Sequence, residues 1–265
     1  MSVLASGAVV RQVLLSAGAE ESQIMAKLQP IATDMHALGN PWISYSVYLN
    51  NSFLPGLLQL MILLVTVFSI GSEMKRATSR EWLRTADDSI IIAITGKLIP
   101  QTIIFFSMGL LYLSLLYGYL HFPMHNSIWH MIFAMFLLVV ASQSFAVIIM
   151  CFAPSLRIGL SVGGLVGVLS LSIAGFSFPV PAMYLPFQAI SYVLPVRHYF
   201  LIYVDQALNG IPLYYSRVHY VALILFAVAS TPLLPRLKKA LMRQVYVPSV
   251  SYTHLRAHET LANLV

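Results

Sequence analysis

The residues that could bind a metal ion in this chain are histidines, and three of them lie close together. His121, His125 and His130 fall within ten residues of one another. Pro123 interrupts any helical spacing between them, and no Cys, Asp or Glu lies nearby to complete a zinc site. The metal interpretation is therefore the weaker one, and we expect these side chains to lie in a surface loop.

Charged side chains form a second group, in the longest charged stretch of the protein, Glu73–Asp88. Steps of three and four residues predict a helix with its charges on one side: Glu73, Arg76, Arg80, Arg84 and Asp87. Trp82 and Leu83 are its main apolar residues. The pattern predicts a short surface helix that docks a partner, and the alternative is a solvated connector whose basic residues only set topology.

Catalytic motifs give little support for an enzyme. The serines and histidines offer nucleophiles and bases, but the sequence has no H-E-x-x-H motif. It also lacks a phosphate loop of the G-x-x-x-x-G-K-[ST] kind, so the chain does not bind ATP that way. We expect no catalytic residue, no metal and no cofactor in this chain.

The elements that position these groups are five apolar runs without Asp, Glu, Lys or Arg. Each is 18–23 residues long, which at ~1.5 Å per residue is enough to cross a ~30 Å hydrocarbon core. They are Phe53–Gly71, Leu98–Leu120, Met131–Ala153, Ile158–Val180 and Val218–Pro235. Charged residues are 9% of the chain and the mean hydropathy is +0.80. The predicted fold is an all-α polytopic membrane protein with five transmembrane helices.

The basic residues predict the orientation of these helices. Most lie between the first and second runs and after the fifth, so the positive-inside rule places the N-terminus outside and the C-terminus in the cytoplasm. The net charge of +6 fits this topology and anionic lipid headgroups better than it fits nucleic acid.

Both ends of the chain differ from the apolar middle. Residues 1–52 would lie outside, so we interpret them as the remnant of an external domain and expect an upstream span. Residues 53–243 form the predicted transmembrane domain, and residues 244–265 a disordered tail. From Ser251 this tail resembles translated sequencing-adapter DNA.

The fourth run carries a stripe of small residues, Gly159, Gly163 and Gly167, at successive four-residue steps. Such a stripe lets a neighbouring helix backbone approach closely. We expect helix packing along it, and the alternative is a ligand groove.

The segment that follows is apolar but rich in proline, which removes backbone donors and interrupts helices. Pro179, Pro181, Pro186 and Pro195 lie within it. Because broken backbone at membrane depth must be covered by protein or line a cavity, we predict re-entrant short helices before the last span. The alternative is an external loop lying on the membrane. Phe176 and Phe178 would project together as an apolar external gate.

Several of these residues resemble those of ABC-2 type exporter permeases over about residues 40–243. The shared features are Pro55-Gly56, then Glu73, Arg76 and Thr78, and then Gly96-Lys97. The most specific part is Gly175-Phe-x-Phe-Pro179 with Met183 and Pro186, followed by Leu194-Pro195. The chain departs from the family pattern at Lys75, where a second Glu is usual, and at Ala77, where Gly is usual.

The resemblance implies six spans per subunit, of which five would be present here. It also implies a bacterial inner-membrane location and pairing with an identical or closely related permease. A separate cytoplasmic subunit would bind ATP and Mg²⁺ and dock on a coupling helix, which maps to Glu73–Asp88. Phe176, Phe178, Pro179, Met183, Pro186 and Pro195 would form the external, re-entrant gate.

Two other classes of function remain as alternatives to a permease. A secondary transporter usually places ionisable groups or unwound helices near the midplane of the membrane. An intramembrane enzyme could use the Ser and His residues as nucleophiles and bases, but no carboxylate lies inside a span. The apolar runs contain no Asp, Glu, Lys or Arg, so the sequence favours the permease.

Overall fold

The computed structural model describes residues 12, 13, 15, 16, 18 and 45–243. The chain divides into two units, residues 1–42 and 43–265, and the fold below is that of the second. The predicted external remnant lies outside the described residues, except for residues 45–52 and the five isolated positions. The predicted tail, 244–265, lies wholly outside them.

The described part of the second unit is helical, with no strand. Its α-helices are α1 (Tyr45–Lys75), α2 (Ser79–Arg84), α3 (Ile90–Leu113), α4 (Ile128–Phe152), α5 (Leu156–Ile173), α6 (Leu185–Tyr192), α7 (Pro195–Tyr203), α8 (Leu213–Val228) and α9 (Leu234–Arg243). A π-helical turn, Ser114–Tyr119, extends α3, and another, Val204–Leu208, extends α7.

Five of these segments are long and apolar enough to cross a membrane: Tyr45–Lys75, Ile90–Tyr119, Ile128–Phe152, Leu156–Ile173 and Leu213–Arg243. The predicted all-α polytopic membrane fold with five spans is therefore confirmed. Three spans begin at a serine whose hydroxyl accepts a bond from a backbone N–H of the first turn, namely Ser89, Ser127 and Ser155. Such caps satisfy amide groups that the start of a helix leaves unpaired.

Two buried clusters hold the spans together, and α4 runs through both. One cluster includes Val67, Leu83, Met150 and Leu237; we call this side the basic end, because α2 and α9 lie there. The other includes Met135 of α4 together with residues of α7 and α8, and we call that side the opposite end. Because α4 is the most buried span, it forms the axis around which the others pack.

The structure corrects several predicted boundaries. The first helix already includes residues 45–52, so Pro55 lies inside it rather than near its start. The fourth span ends at Ile173 instead of Val180, since Gly175 adopts a left-handed φ of +103° that no helix continues. The last span begins at Leu213 and is interrupted between α8 and α9 by a 3-10 turn, Thr231–Leu233.

Candidate functional site

At the basic end, one ionic cluster ties the start of the charged stretch to two spans. The Lys97 ammonium of α3 lies 2.6 Å from Glu73 Oε1 of α1 and also donates to the Ser69 carbonyl at 2.8 Å. The Thr78 hydroxyl donates to the other Glu73 oxygen. The Trp82 ring of α2 lies 4.6 Å from the same ammonium, an arrangement that favours a cation–π interaction.

Helix α2 is also joined to α9, the last helix of the described chain. The Ser79 hydroxyl donates to the Leu241 carbonyl at 3.0 Å. The Arg80 guanidinium donates twice, at 3.1 Å, to the Met242 carbonyl. These carbonyls lie in the last turn of α9, where a helix has no internal donors and carries partial negative charge. Between the two helices Leu83 is fully buried.

The residues predicted for partner docking therefore divide into two groups. Arg76, Arg80 and Arg84 are exposed and can meet a partner. Glu73 and Trp82 are partly buried and point into the cluster around Lys97. Their position indicates that they hold α2 in place.

The predicted continuous helix over residues 73–88 is wrong. Helix α1 carries Glu73, Ala77 takes a left-handed φ of 61°, and α2 is only six residues long. Asp87 and Asp88 are left-handed as well, with φ of 50° and 56°. Two successive left-handed residues end any helix, and aspartate tolerates this conformation better than most residue types.

At the opposite end, the prolines shape the segment between α5 and α8. Pro179 precedes a 3-10 turn, Val180–Ala182. Pro186 lies in the first turn of α6, and Pro195 is the first residue of α7, where a missing N–H costs nothing. The predicted short helices before the last span are present, and two of the prolines start helices.

Phe176 and Phe178 do not project together, contrary to the prediction. Phe176 is 6% exposed and packs edge-to-face on Phe200 of α7 at 5.6 Å. Phe178 is 51% exposed. With Met183 it lines an apolar cavity of about 360 Å³ at the surface. Of the predicted gate residues, Phe178, Pro179 and Pro186 are exposed and Met183 is half-buried, so these can meet a molecule outside the core, whereas Phe176 cannot.

Sequence reasoning missed the polar side chains that fix α7. Gln59 of α1 is almost fully buried; its Oε1 accepts the Val196 N–H at 2.8 Å, and its amide donates to the Ser170 hydroxyl at 3.1 Å. Arg197 is 8% exposed and donates to the Ala174 carbonyl at 3.0 Å. The only sign of this role in the sequence is that Gln59 is an isolated polar residue within an apolar run.

A histidine pair also joins α7 to the last span. His198 Nδ1 lies 3.4 Å from His219 Nδ1, and His198 Nε2 lies 3.0 Å from the Tyr192 carbonyl. Burial lowers the pKa of His198 below its ordinary value, so its imidazole is neutral at pH 7. Because His198 Nε2–H donates to the Tyr192 carbonyl, His198 Nδ1 is the nitrogen that accepts from His219.

The glycine stripe of α5 lies against α1. A Cβ added at Gly159 would come within 2.9 Å of Val67 Cγ1, and one at Gly167 would collide with Leu60. Residues 159–163 also read G-x-S-x-G, a motif of hydrolases in which the serine lies on a strand-to-helix turn. Here Ser161 lies within a helix and donates to the Arg157 carbonyl at 3.1 Å, so the arrangement is not a nucleophile elbow.

The polar residues of α4 are used inside the bundle. Gln143 accepts from Thr102 at 2.8 Å, and Ser144 donates to Ser230 at 2.9 Å. Two of the three clustered histidines bond to backbone carbonyls: His121 Nδ1 lies 2.9 Å from the Tyr119 carbonyl and His125 Nδ1 2.9 Å from the Ala207 carbonyl. The third, His130, lies in α4 rather than in the loop. Among the described residues no group of three metal-binding side chains comes together.

Comparison with known families decides the class of the protein. The family model for "ABC-2 family transporter protein" matches residues 2–234. The chain belongs to this family. The predicted resemblance is thereby confirmed, and the ABC-2 chain is a membrane transporter permease. Comparison with curated proteins and with solved structures found no match.

Proposed function

We propose that this ABC-2 chain is the membrane-spanning subunit of an ATP-driven exporter of the bacterial inner membrane. Two permease subunits, identical or closely related, would enclose the pathway, and a separate cytoplasmic subunit would bind and hydrolyse ATP with Mg²⁺. The basic end would face the cytoplasm, as the positive-inside rule requires. The N-terminus would then lie outside.

The observation that carries the proposal is the anchoring of α2 to three membrane helices. Its exposed arginines are available to an acidic partner surface, while Thr78, Trp82 and Arg80 connect it to α1, α3 and α9. Because α2 is fixed at several points, a push on it would move these helices together. Rigid-body movement of this kind is a common way to switch a transporter.

Helix α1 provides a route from α2 to the opposite end. Glu73 lies at one end of it, and Gln59, fourteen positions earlier, is ~21 Å away at 1.5 Å per residue. There Gln59 binds the first turn of α7. Movement of α1 would therefore reach the broken segment, whose exposed Phe178 and half-buried Met183 would contribute to the external gate.

The rival functions have less support. A secondary transporter needs a titratable relay within its spans, whereas the ion pair of the described spans, Glu73 with Lys97, lies at the basic end and anchors α2. An intramembrane enzyme would need an activated nucleophile, and Ser161 has only a carbonyl partner.

Charge reversal on α2 tests the proposal. The double variant R76E/R84E should still insert, because both side chains are exposed and lie outside the apolar spans. We expect it to lose co-purification of the ATP-binding subunit and to lose transport. The matched control is R217E at the opposite end, which is also exposed and should retain both. Equal behaviour of the two variants would contradict docking on α2.

Orientation is tested separately, in a background without the buried Cys151. Cysteines at Ala77 and Ser127 should label from opposite sides with a membrane-impermeant reagent, the first from the cytoplasm. Labelling of both from the same side would contradict the proposed topology.

A further inference from the structure

A basic cavity lies beside α9, on the side that α2 does not touch. It has a volume of about 270 Å³ and is lined by Cys151, Phe152, Pro154, Arg236, Lys239, Ala240 and Arg243. No carboxylate is among the lining residues. An adjoining depression shares Arg236 and Lys239 and adds Pro235, Lys238 and Met242. Cationic and apolar side chains thus meet in one concave surface.

The three cations of the cavity lie on one face of α9. Arg236, Lys239 and Arg243 follow each other at steps of three and four, which places them in line. Leu234, Leu237 and Leu241 repeat the same spacing two positions earlier and are buried in the core. The two stripes are therefore on opposite sides of the helix, so the basic stripe faces away from the protein core.

These cations have no acidic partner within residues 45–243. The Arg236 guanidinium lies 4.8 Å from the centre of the Phe152 ring. Lys238, by contrast, lies off this stripe and donates to the Asp88 carbonyl at 2.5 Å. Three neighbouring positive charges repel one another unless an anion lies between them.

The cavity is at the level where a membrane helix ends. Its wall is the last turn of α4 and the link to α5, and Phe152, 60% exposed, is the last residue of α4. A phospholipid presents a phosphate next to glycerol ester groups and apolar acyl chains, and basic pockets between membrane helices bind such headgroups. The lining of this cavity likewise places cationic side chains next to apolar ones.

We propose that this cavity binds the headgroup of an anionic phospholipid, with its phosphate between Arg236, Lys239 and Arg243. The glycerol and upper acyl groups lie against Phe152 and Pro154. The bound lipid neutralises the basic stripe and fixes α9, whose other contacts hold α2. This inference does not depend on docking of an ATP-binding subunit.

Native mass spectrometry of the purified full chain tests the proposal, with phosphatidylglycerol, phosphatidylcholine and inorganic phosphate added in turn. We expect the protein to retain phosphatidylglycerol selectively. The variant R236Q/K239Q/R243Q should bind it about 100-fold more weakly, at roughly 1 kcal/mol for each of the three charges removed. The charge-conserving variant R236K/K239R/R243K should bind it nearly as the wild type does.

The matched control is K75Q/R76Q/R84Q, which removes three exposed charges from the same end and should keep the bound lipid. Equal losses in both triple variants would overturn the site, because they would indicate only general attraction to the surface. Competition by millimolar inorganic phosphate would show a free-anion site instead. If R236Q/K239Q/R243Q still bound the lipid but no longer co-purified with a protein partner, the stripe would be a protein interface, and the proposal would be overturned.

Discussion

The two ends of the bundle hold their short helices by different interactions. At the basic end, α2 buries Leu83 but is otherwise fixed by charged and polar groups, several of which bind backbone carbonyls, and its arginines remain exposed. At the opposite end, α7 is buried among apolar side chains, with Gln59 and Arg197 as polar anchors inside the protein.

This difference indicates different mechanical roles. Partly exposed ionic contacts are each weak, so α2 needs several of them together to stay fixed to the spans. Buried apolar contacts and buried hydrogen bonds are costly to break, so α7 moves only with the spans that surround it. The comparison predicts that mutating the buried contacts of α7 costs more stability than mutating the ionic contacts of α2.

The largest effect is expected from Phe176→Ala. Phe176 is buried against Phe200, so truncation should lower the free energy of unfolding by about 3–5 kcal/mol. The matched control, Phe178→Ala, removes the same ring from a 51% exposed position and should cost less than about 1 kcal/mol. Thermal unfolding in detergent measures both. Similar losses would show that the two rings share one environment.

The next effect concerns the polar anchor of α7. Gln59→Leu keeps the side-chain volume but leaves the buried Val196 N–H without its acceptor, which should cost about 1–3 kcal/mol. Gln188→Leu is the control, since the Gln188 amide donates to two carbonyls of its own segment, those of Met183 at 2.8 Å and Pro181 at 3.4 Å. If the two variants unfold at the same temperature, Gln59 does not anchor α7.

A smaller effect is expected from the ion pair at the basic end. A double-mutant cycle with E73Q and K97M should give a coupling energy of about 0.5–1 kcal/mol, because the side chains are 23% and 20% exposed. The coupling should decrease as salt is raised. A coupling of several kcal/mol, independent of salt, would show that the basic end is held as firmly as the opposite end.

The smallest effect is a gain in stability at Ala77. Its left-handed φ of 61° strains a residue with a Cβ, so Ala77→Gly should raise stability by about 0.5 kcal/mol after the entropy cost of glycine. Ala240→Gly, within α9, is the control and should lose about 0.5–1 kcal/mol. A loss at both positions would mean that the turn before α2 is unstrained.

The sequence by itself determined the class of fold and the proline-broken segment before the last span. Uncharged runs of 18–23 residues specify membrane helices because a charge in hydrocarbon is costly and the length matches the bilayer. Clustered prolines predicted the short helices around Pro186 and Pro195. These are local properties of composition and spacing, so they need no knowledge of which segments meet.

Only the tertiary structure decided how the candidate site is assembled. The partner of Gln59 is 137 positions away, and those of Ser79 and Arg80 are 162 positions away, distances over which periodicity carries no information. Spacing placed Phe176 and Phe178 on the same side of an extended chain, but packing against Phe200 buries only the first. Charge spacing predicted one helix over residues 73–88. The ionic cluster around Lys97 and the left-handed turns divided it, because contacts with three other helices outweigh a weak local preference.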